Sequence, residues 1–385
     1  MQLPAHFADA FDALHEAAAA HAGATDFGSA DYHEGLHLLL RALDDQPRFT
    51  DGGRQFAFGT LAGVLVARLY SQRGWAGRPE YGKAAIRAPL VITGIPRTGT
   101  TALHKLLSVD PQFQGIERWL AATPMVRPPR QQWSGLAEYR GCVAGLEAVA
   151  QAAPALLAMH DMSADTVDEC LDVLQQSFIS NTFSSTFDVP VYTEWLLRQS
   201  EAASYQRYAN VLRLIGLHDL DRRWLLKNPG HIWELESLFA VFPDACVVQT
   251  HRSPLQALPS LCSVLETARG IYEGPNVRPE RIGPVEADKW RRGVNRAEAV
   301  RIRHPDRVFD VDHRQFHADP IGVVRSIYRR FDLELRPDTV ADMQRWLRQQ
   351  PAEQKGSHRY SATTFGLSNG LLGELYADYI KKYEL

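Results

Sequence analysis

The sequence predicts an α/β fold, in which a parallel sheet is flanked by helices and preceded by an N-terminal helical subdomain. A short apolar run at 88–93 leads into a glycine-bearing loop and then into a helical pattern. The segment 223–260 shows strand, turn and helix twice, which is typical of parallel strands joined by crossover helices. Ahead of both, apolar residues recur at helical spacing in three stretches of 1–87.

These patterns predict two regions. We expect a helical cap at 1–87, with a role in packing or dimer contact, and an α/β domain at 88–385. Between the first strand and the strand at 223 the patterns are helical, so we expect a helical insert at about 120–222. Glycines and prolines crowd the interval 268–288, and long loops of this kind are often active-site lids. We therefore predict a lid loop at about 268–288.

Composition excludes several classes of protein. The 385 residues carry a net charge of −3, so no general basic field favours nucleic acid or an anionic membrane. The four cysteines are far apart and form no CxxC pair, which argues against a disulfide framework or a zinc site. No apolar run is long enough to span a bilayer, and no signal segment is recognisable at the start. We expect a cytoplasmic protein; whether it forms a homodimer is left open.

The loop at Gly94–Thr101 is P-loop-like. Gly94, four residues and Gly99 have the spacing of a Walker A loop, in which backbone N–H groups and a helix dipole face one bound anion. A Walker loop continues with Lys and then Ser or Thr, whereas here Thr100 and Thr101 follow, and the charge in the loop is Arg97. The sequence therefore predicts an anion cradle that lacks the lysine of an ordinary ATPase or GTPase.

Three basic or protonatable residues fall at the ends of predicted strands. Lys227 ends the strand at 224–227, His231 follows it by one turn, and Arg252 follows the strand at 246–250. Ligands of parallel sheets bind at the carboxyl ends of the strands. We therefore expect these side chains to lie at one edge, beside the loop.

The run Pro-Arg-Thr-Gly-Thr-Thr at 96–101 resembles the 5′-phosphosulfate loop of sulfotransferases that use 3′-phosphoadenosine-5′-phosphosulfate (PAPS), in a bacterial branch of that family. Leu-Lys-Asn-Pro-Gly-His at 226–231, Phe-Pro-Asp-Ala at 242–245 and Val-Gln-Thr-His-Arg-Ser-Pro at 248–254 are similar to further blocks of the family. The resemblance covers nearly the whole chain. It departs at Ser253, where aspartate is usual, which puts the local loop geometry in question.

The resemblance implies roles for individual residues. Lys227 matches a lysine that contacts the bridging oxygen or the sulfonate, and Arg252 with Ser260 match the 3′-phosphate site. A C-terminal Lys-Gly-containing segment closes the nucleotide site in the family, which makes Lys355 and Arg359 candidates here. The residues expected to bind PAPS are Pro96, Arg97, Thr98, Gly99, Thr100, Thr101, Arg252, Ser260, Lys355 and Arg359.

The general base is less well determined by the sequence. His231 is one candidate because imidazole titrates in the useful range, and a polar residue that only makes hydrogen bonds at a helix start is an equal alternative. His160 and Glu169 are further candidates: they flank a predicted helix start at 160–169, and the branch carries a similar His…Glu pattern.

The resemblance thus implies a PAPS-dependent sulfotransferase that moves a sulfuryl group to a hydroxyl of a small-molecule alcohol or phenol, with PAPS as cosubstrate and no metal requirement. Catalysis would involve Arg97, Lys227 and one of the three candidate bases. A kinase or nucleotide hydrolase with a degenerate loop is an alternative, but it would lack the Walker lysine. The other alternative is an inactive nucleotide-binding homologue, which Ser253 supports because it stands where aspartate is usual.

Overall fold

A five-stranded parallel sheet carries the predicted strands. The computed structural model describes residues 3–45, 47–152, 163–350 and 361–385. Its strands pair in the order β2-β3-β1-β4-β5, and every neighbouring pair is parallel. The α/β fold class predicted from the sequence is confirmed. The strands are β1 (Leu90–Gly94), β2 (Phe113–Gln114), β3 (Arg223–Lys227), β4 (Cys246–His251) and β5 (Val308–Asp312).

The central strands are apolar on both faces because helices cover both sides of a parallel sheet. Every residue of β1 is buried, and so are residues 247–251 of β4. Their side chains join a core in which Leu103 and Leu107 of the following helix pack against Ile92 and Val248. The core therefore holds the carboxyl end of β1 in a constant position.

The strand order creates a switch point between β1 and β4. The chain leaves β1 towards β2, on one side of the sheet, and leaves β4 towards β5, on the opposite side. Where two adjacent strands have connections that diverge in this way, a crevice opens at their carboxyl ends, and ligands of open α/β sheets bind there. The predicted anion loop, at the end of β1, lies at this position.

Helices make up most of the remaining chain, and three of them precede β1 as predicted. The helices are α1 (Phe11–Ala22), α2 (His33–Asp45), α3 (Asp51–Gly77), α4 (Thr100–Leu107), α5 (Arg118–Ala122), α6 (Ala137–Ala152), α7 (Leu171–Leu174), α8 (Asn181–Thr186), α9 (Pro190–Leu196), α10 (Ala202–Ile215), α11 (Leu235–Val241), α12 (Pro254–Glu273), α13 (Ile282–Arg301), α14 (His313–Ala318), α15 (Pro320–Arg330), α16 (Pro337–Gln349), α17 (Asn369–Leu375) and α18 (Ala377–Tyr383).

The chain divides into two units whose boundaries differ from the expected cap and domain. The first unit combines Met1–Ala85 with Ile116–Leu220 and Val264–Arg278. The second combines Ile86–Gly115, Asp221–Ser263 and Pro279–Leu385, and it contains the whole sheet. The N-terminal helices share a buried core with residues 178–196 and Tyr272, so distant segments supply the apolar surface that these helices cover.

The predicted lid loop at 268–288 is largely helical. The helix α12 continues to Glu273, and α13 begins at Ile282, so only 274–281 lies outside α-helix. Glycine and proline composition misled the prediction. Pro284 occupies the first turn of α13, where a backbone N–H has no partner within the helix and its loss costs little.

The helix start predicted at 160–169 also differs in the described part. Residues 163–170 form turns and one isolated antiparallel bridge, Glu117 to Val167, and α7 begins only at Leu171. Backbone N–H groups of Arg118 and Trp119 donate to carbonyls at 166 and 164, at 3.2 Å each. These tertiary hydrogen bonds replace the bonds of a first helical turn.

Two adjacent glycines of α3 are expected to respond oppositely to alanine. A Cβ on Gly53 would overlap the carbonyl of Tyr272, whereas a Cβ on Gly52 would have no neighbour within 4 Å. Gly53→Ala should lower the free energy of unfolding by about 1–3 kcal/mol, as overpacked sites do. Gly52→Ala should leave it equal or raise it by up to about 0.5 kcal/mol, because alanine favours helix. Urea unfolding of both variants measures this, and equal effects would contradict the packing.

Candidate functional site

The loop between β1 and α4 has the geometry of an anion cradle. The backbone leaves β1 at Gly94 (φ 146°), turns through Arg97 (φ 70°) and Gly99 (φ 94°), and enters α4 at Thr100. The first hydrogen bond of α4 runs from the N–H of Leu103 to the carbonyl of Gly99, at 3.1 Å. The N–H groups at the start of α4 have no partner within the helix and lie at the positive end of its dipole, so they favour an anion.

Both loop glycines are required by their surroundings. A Cβ on Gly94 would lie 2.5 Å from the carbonyl oxygen of Thr250 and 2.7 Å from its hydroxyl. A Cβ on Gly99 would lie 3.2 Å from Cδ2 of His313, at the residue that follows β5. Both glycines also have positive φ angles that side chains disfavour. The loop therefore runs close to the carboxyl ends of β4 and β5.

The loop and the end of β4 meet through side chains. Nε of Arg97 donates to Oγ of Ser260 at 3.1 Å, and Nη1 of Arg252 donates to the carbonyl of Arg97 at 3.0 Å. Nε of Arg252 contacts Oε1 of Gln256 at 3.3 Å, along the start of α12. Ser260 is buried, Arg252 is partly exposed and Arg97 is exposed. The structure thus brings Arg97 to two residues, Arg252 and Ser260, that lie more than 150 positions later in the sequence.

Lys227 lies on the other side of β1. The strand β3 pairs with β1 so that Lys227 is opposite Ile92, and the lysine is only 2% exposed. Its Nζ donates to Oγ1 of Thr101, at 3.2 Å, and Thr101 itself is exposed. A buried ammonium is therefore directed to the second residue of α4.

The other predicted loop residues differ in exposure. Thr98 and Thr100 are buried, and Oγ1 of Thr98 donates to the carbonyl of Ile95 at 2.7 Å. Pro96 and Gly99 are partly exposed. Backbone groups, rather than these buried hydroxyls, are thus the loop's donors at its surface.

His231 is fully buried, in a segment that contacts β1 where Oγ1 of Thr93 donates to the carbonyls of Asn228 and Pro229 at 3.1 and 3.0 Å. It lies in a short 3-10 helix, Pro229–Trp233, in which the side chain of Asn228 accepts a hydrogen bond from the N–H of Gly230 at 2.9 Å. The imidazole has no exposed surface, and burial lowers its pKa to about 3. His231 is therefore neutral at physiological pH, and so low a pKa makes it a weak proton acceptor.

Glu169 belongs to the first unit, and its described surroundings are acidic. Asp168 and Asp172 of the same unit share the guanidinium of Arg118. Burial raises the pKa of Asp172, the charges of Asp168 and Glu169 raise it further, and Arg118 opposes them. The other predicted candidates, His160, Lys355 and Arg359, lie outside the described residues.

Two neighbours of the loop were missed in the sequence, Thr250 and His313. Both sit at or just after the end of a strand, β4 and β5 respectively. Ligands bind at the carboxyl ends of parallel strands in general, so this rule also indicates Thr250 and His313, and not only the strand ends that carry a lysine or an arginine.

Across residues 3–45, 47–152, 163–350 and 361–385, no group of three or more His, Cys, Asp or Glu side chains is placed to hold a metal ion. Within the same part of the chain, every helix is too short or too polar to cross a bilayer.

The fold and the loop together define an α/β protein with an anion-binding loop at the carboxyl edge of a parallel sheet. The family model described as "Sulfotransferase family" matches residues 89–337. The chain therefore belongs to the sulfotransferase family, and the resemblance seen in the sequence is confirmed.

Individual relatives agree with this assignment. The chain is 37% identical to sulfotransferase STF1 of Mycobacterium tuberculosis H37Rv, with a TM-score of 0.85, over 96% of this chain and 98% of that one. It is 25% identical to sulfotransferase STF9 of Mycobacterium avium, also at a TM-score of 0.85, over 97% and 96% of the two chains.

A curated relative has a more specific name. The omega-hydroxy-beta-dihydromenaquinone-9 sulfotransferase Stf3 of Mycobacterium bovis is 25% identical over 64% of this chain. The match spans 63% of the length of that relative.

Proposed function

We propose that the protein transfers the sulfuryl group of PAPS to a hydroxyl group of a small-molecule acceptor. The observation that carries the proposal is the direct linkage of Arg97, Ser260 and Arg252. The resemblance assigns Arg97 to the 5′-phosphosulfate and the other two residues to the 3′-phosphate. Because all three lie within one hydrogen-bonded cluster, a single nucleotide can reach both groups.

The chemistry of the cluster suits this donor. Arg252 offers a planar guanidinium that can form two charge-assisted hydrogen bonds to a phosphate, and the hydroxyl of Ser260 adds a neutral donor. The loop amides at 97–101 and the start of α4 are suited to the phosphosulfate, whose terminal sulfuryl group carries one charge fewer than a terminal phosphate. A cradle of this kind does not depend on a metal ion to neutralise its ligand.

In the proposed reaction, the acceptor oxygen forms a bond to sulfur while the bond from sulfur to the phosphate oxygen breaks. The electron pair of that bond leaves with 3′,5′-adenosine bisphosphate. Lys227 would stabilise the charge that develops on the leaving oxygen, and Arg97 would stabilise the sulfuryl oxygens. The proton of the acceptor hydroxyl must pass to a base, for which His231, Glu169 and His160 are the candidates.

The acceptor class is the broadest part of the proposal. An alcohol or a phenol meets the chemical requirement, since each supplies one oxygen nucleophile with one proton to lose. The name of the Stf3 relative indicates a terminal hydroxyl on a lipid quinone. Long-chain isoprenoid alcohols therefore belong in a first acceptor screen beside simple phenols.

Two measurements test the proposed function. Labelled PAPS should give a labelled product with at least one alcohol or phenol, without added Mg²⁺, and 3′,5′-adenosine bisphosphate should bind in a calorimetric titration. A kinase or nucleotide hydrolase would instead consume ATP or GTP in the presence of Mg²⁺. Binding of the bisphosphate with no transfer to any acceptor in the panel would favour the inactive homologue.

If His231 is the base, His231→Ala should abolish turnover. The affinity of this variant for 3′,5′-adenosine bisphosphate should stay within about threefold of the wild type. Because the pKa of the buried imidazole is about 3, the wild-type kcat/KM should show no acid limb near pH 6.5 from this group. A pH profile from 5 to 8 measures this. Full activity of His231→Ala would eliminate His231 and leave Glu169 and His160.

A further inference from the structure

A buried threonine of β4, Thr250, lies directly beneath the anion loop. It pairs with Gly94 across the parallel β1–β4 register, and both Thr250 and Thr98 are 1% exposed. The two hydroxyl oxygens, Oγ1 of Thr250 and Oγ1 of Thr98, are 2.5 Å apart. The space for this contact exists because residue 94 has no side chain.

The direction of this hydrogen bond follows from the number of protons. Each hydroxyl has one proton and two lone pairs. Oγ1 of Thr98 donates its proton to the carbonyl of Ile95 at 2.7 Å, so Thr250 must donate to Thr98. The other contact of Thr250, to the carbonyl of Thr93, is 3.4 Å long and outside the usual range. The result is one chain of hydrogen bonds from Thr250 through Thr98 to Ile95.

This chain supports the most constrained part of the loop. Thr98 is flanked by Arg97 and Gly99, both of which have positive φ angles. Such a backbone persists where its surroundings hold it in place. Thr250 contacts the side chain of Thr98, and Arg252, two residues later, contacts the carbonyl of Arg97. The β4 segment thus fixes two successive loop residues from one side.

We propose that Thr250 is a positioning residue of the sulfuryl-donor site, which sets the distance of the Arg97–Thr101 amides from the bound phosphosulfate. The inference rests on the proposed function. Thr250 is buried under the loop and acts through Thr98, so it has no contact with the substrate of its own.

The proposal predicts a steric effect when the hydroxyl is replaced by a methyl group. A carbon atom keeps roughly 3.3–3.6 Å from an oxygen. In Thr250→Val the 2.5 Å contact with Thr98 must therefore lengthen by about 1 Å. A misplacement of about 1 Å in a catalytic arrangement can reduce the rate by roughly 100-fold.

The experiment compares four variants with the wild type. Thr250→Val should lower kcat by roughly 10- to 100-fold, and Thr250→Ser, which keeps the hydroxyl, should retain kcat within about threefold. Thr250→Ala removes the hydroxyl without adding a methyl in its place, so it tests the hydrogen bond if the valine variant is poorly folded. Thr193→Val is the matched control: its buried hydroxyl donates to the carbonyl of Val189 at 3.0 Å, within the first unit.

Each variant is measured for kcat and KM of PAPS, affinity for 3′,5′-adenosine bisphosphate, and thermal midpoint. Loss of kcat in Thr250→Val and Thr250→Ala, recovered in Thr250→Ser and absent from Thr193→Val, is the expected result. If the Thr250 variants keep wild-type kcat and bisphosphate affinity, or if Thr193→Val loses as much activity at an equal loss of stability, the positioning role is wrong. If the wild type itself neither binds the bisphosphate nor transfers sulfate, the proposed function fails instead.

Discussion

Lys227→Met is expected to lower kcat by about 100- to 1,000-fold, the range found when one donor that stabilises developing charge is removed. Methionine preserves the unbranched shape of the side chain and removes the ammonium, which is buried and directed to Thr101. Because the lysine is assigned to charge that appears in the transition state, the affinity for 3′,5′-adenosine bisphosphate should change much less than kcat. Single-turnover rates with labelled PAPS and a calorimetric titration separate the two quantities.

Lys382→Met is the control for this prediction. Lys382 is about half exposed, and its ammonium pairs with Glu298 in the same unit. Its loss should leave kcat within about twofold, as expected for an exposed ion pair. A Lys227→Met enzyme that folds normally and keeps more than about a third of wild-type kcat would remove Lys227 from the catalytic assignment, since a transition-state donor is worth far more.

Arg252→Ala should weaken binding of 3′,5′-adenosine bisphosphate by roughly 10- to 100-fold, because hydrogen bonds to charged groups contribute about 1.5–3 kcal/mol. The informative quantity is the dissociation constant of 3′,5′-adenosine bisphosphate divided by that of adenosine 5′-monophosphate, which lacks the 3′-phosphate. Arg252 also holds the carbonyl of Arg97, so part of the loss will be common to both nucleotides. The ratio cancels this common part and leaves the contribution of the 3′-phosphate to binding.

Two further variants make the test specific. Ser260→Ala should move the same ratio by less, roughly three- to tenfold, because a neutral hydroxyl contributes about 1 kcal/mol. Arg303→Ala removes an exposed arginine that pairs with Glu236, and it should leave both dissociation constants unchanged. If Arg252→Ala weakens the two nucleotides equally, the 3′-phosphate does not bind at Arg252, and the orientation of the donor in the proposed site is wrong.

Local sequence patterns predicted much of the sheet. The mainly apolar runs of β1, β3 and β4 are almost wholly buried, as expected of inner strands in a parallel sheet, whereas only Val308 and Val311 of the edge strand β5 are buried. The segment 163–170 behaved differently. Its acidic residues resemble a helix start, but the backbone of 116–119 accepts and donates the hydrogen bonds that a helix would have made. A partner so far away in sequence leaves no local signal.

Local patterns in the sequence predicted the loop and the strand ends, and the resemblance to the sulfotransferase family indicated the residues proposed to bind the donor. The contacts of Arg97 with Arg252 and Ser260, and of the Thr250 hydroxyl with Thr98, became visible only in the folded chain. The tertiary structure also decided that His231 is fully buried. Strand order and register bring together residues more than 150 positions apart. Neither the order nor the register can be predicted from the residue spacing within a single segment.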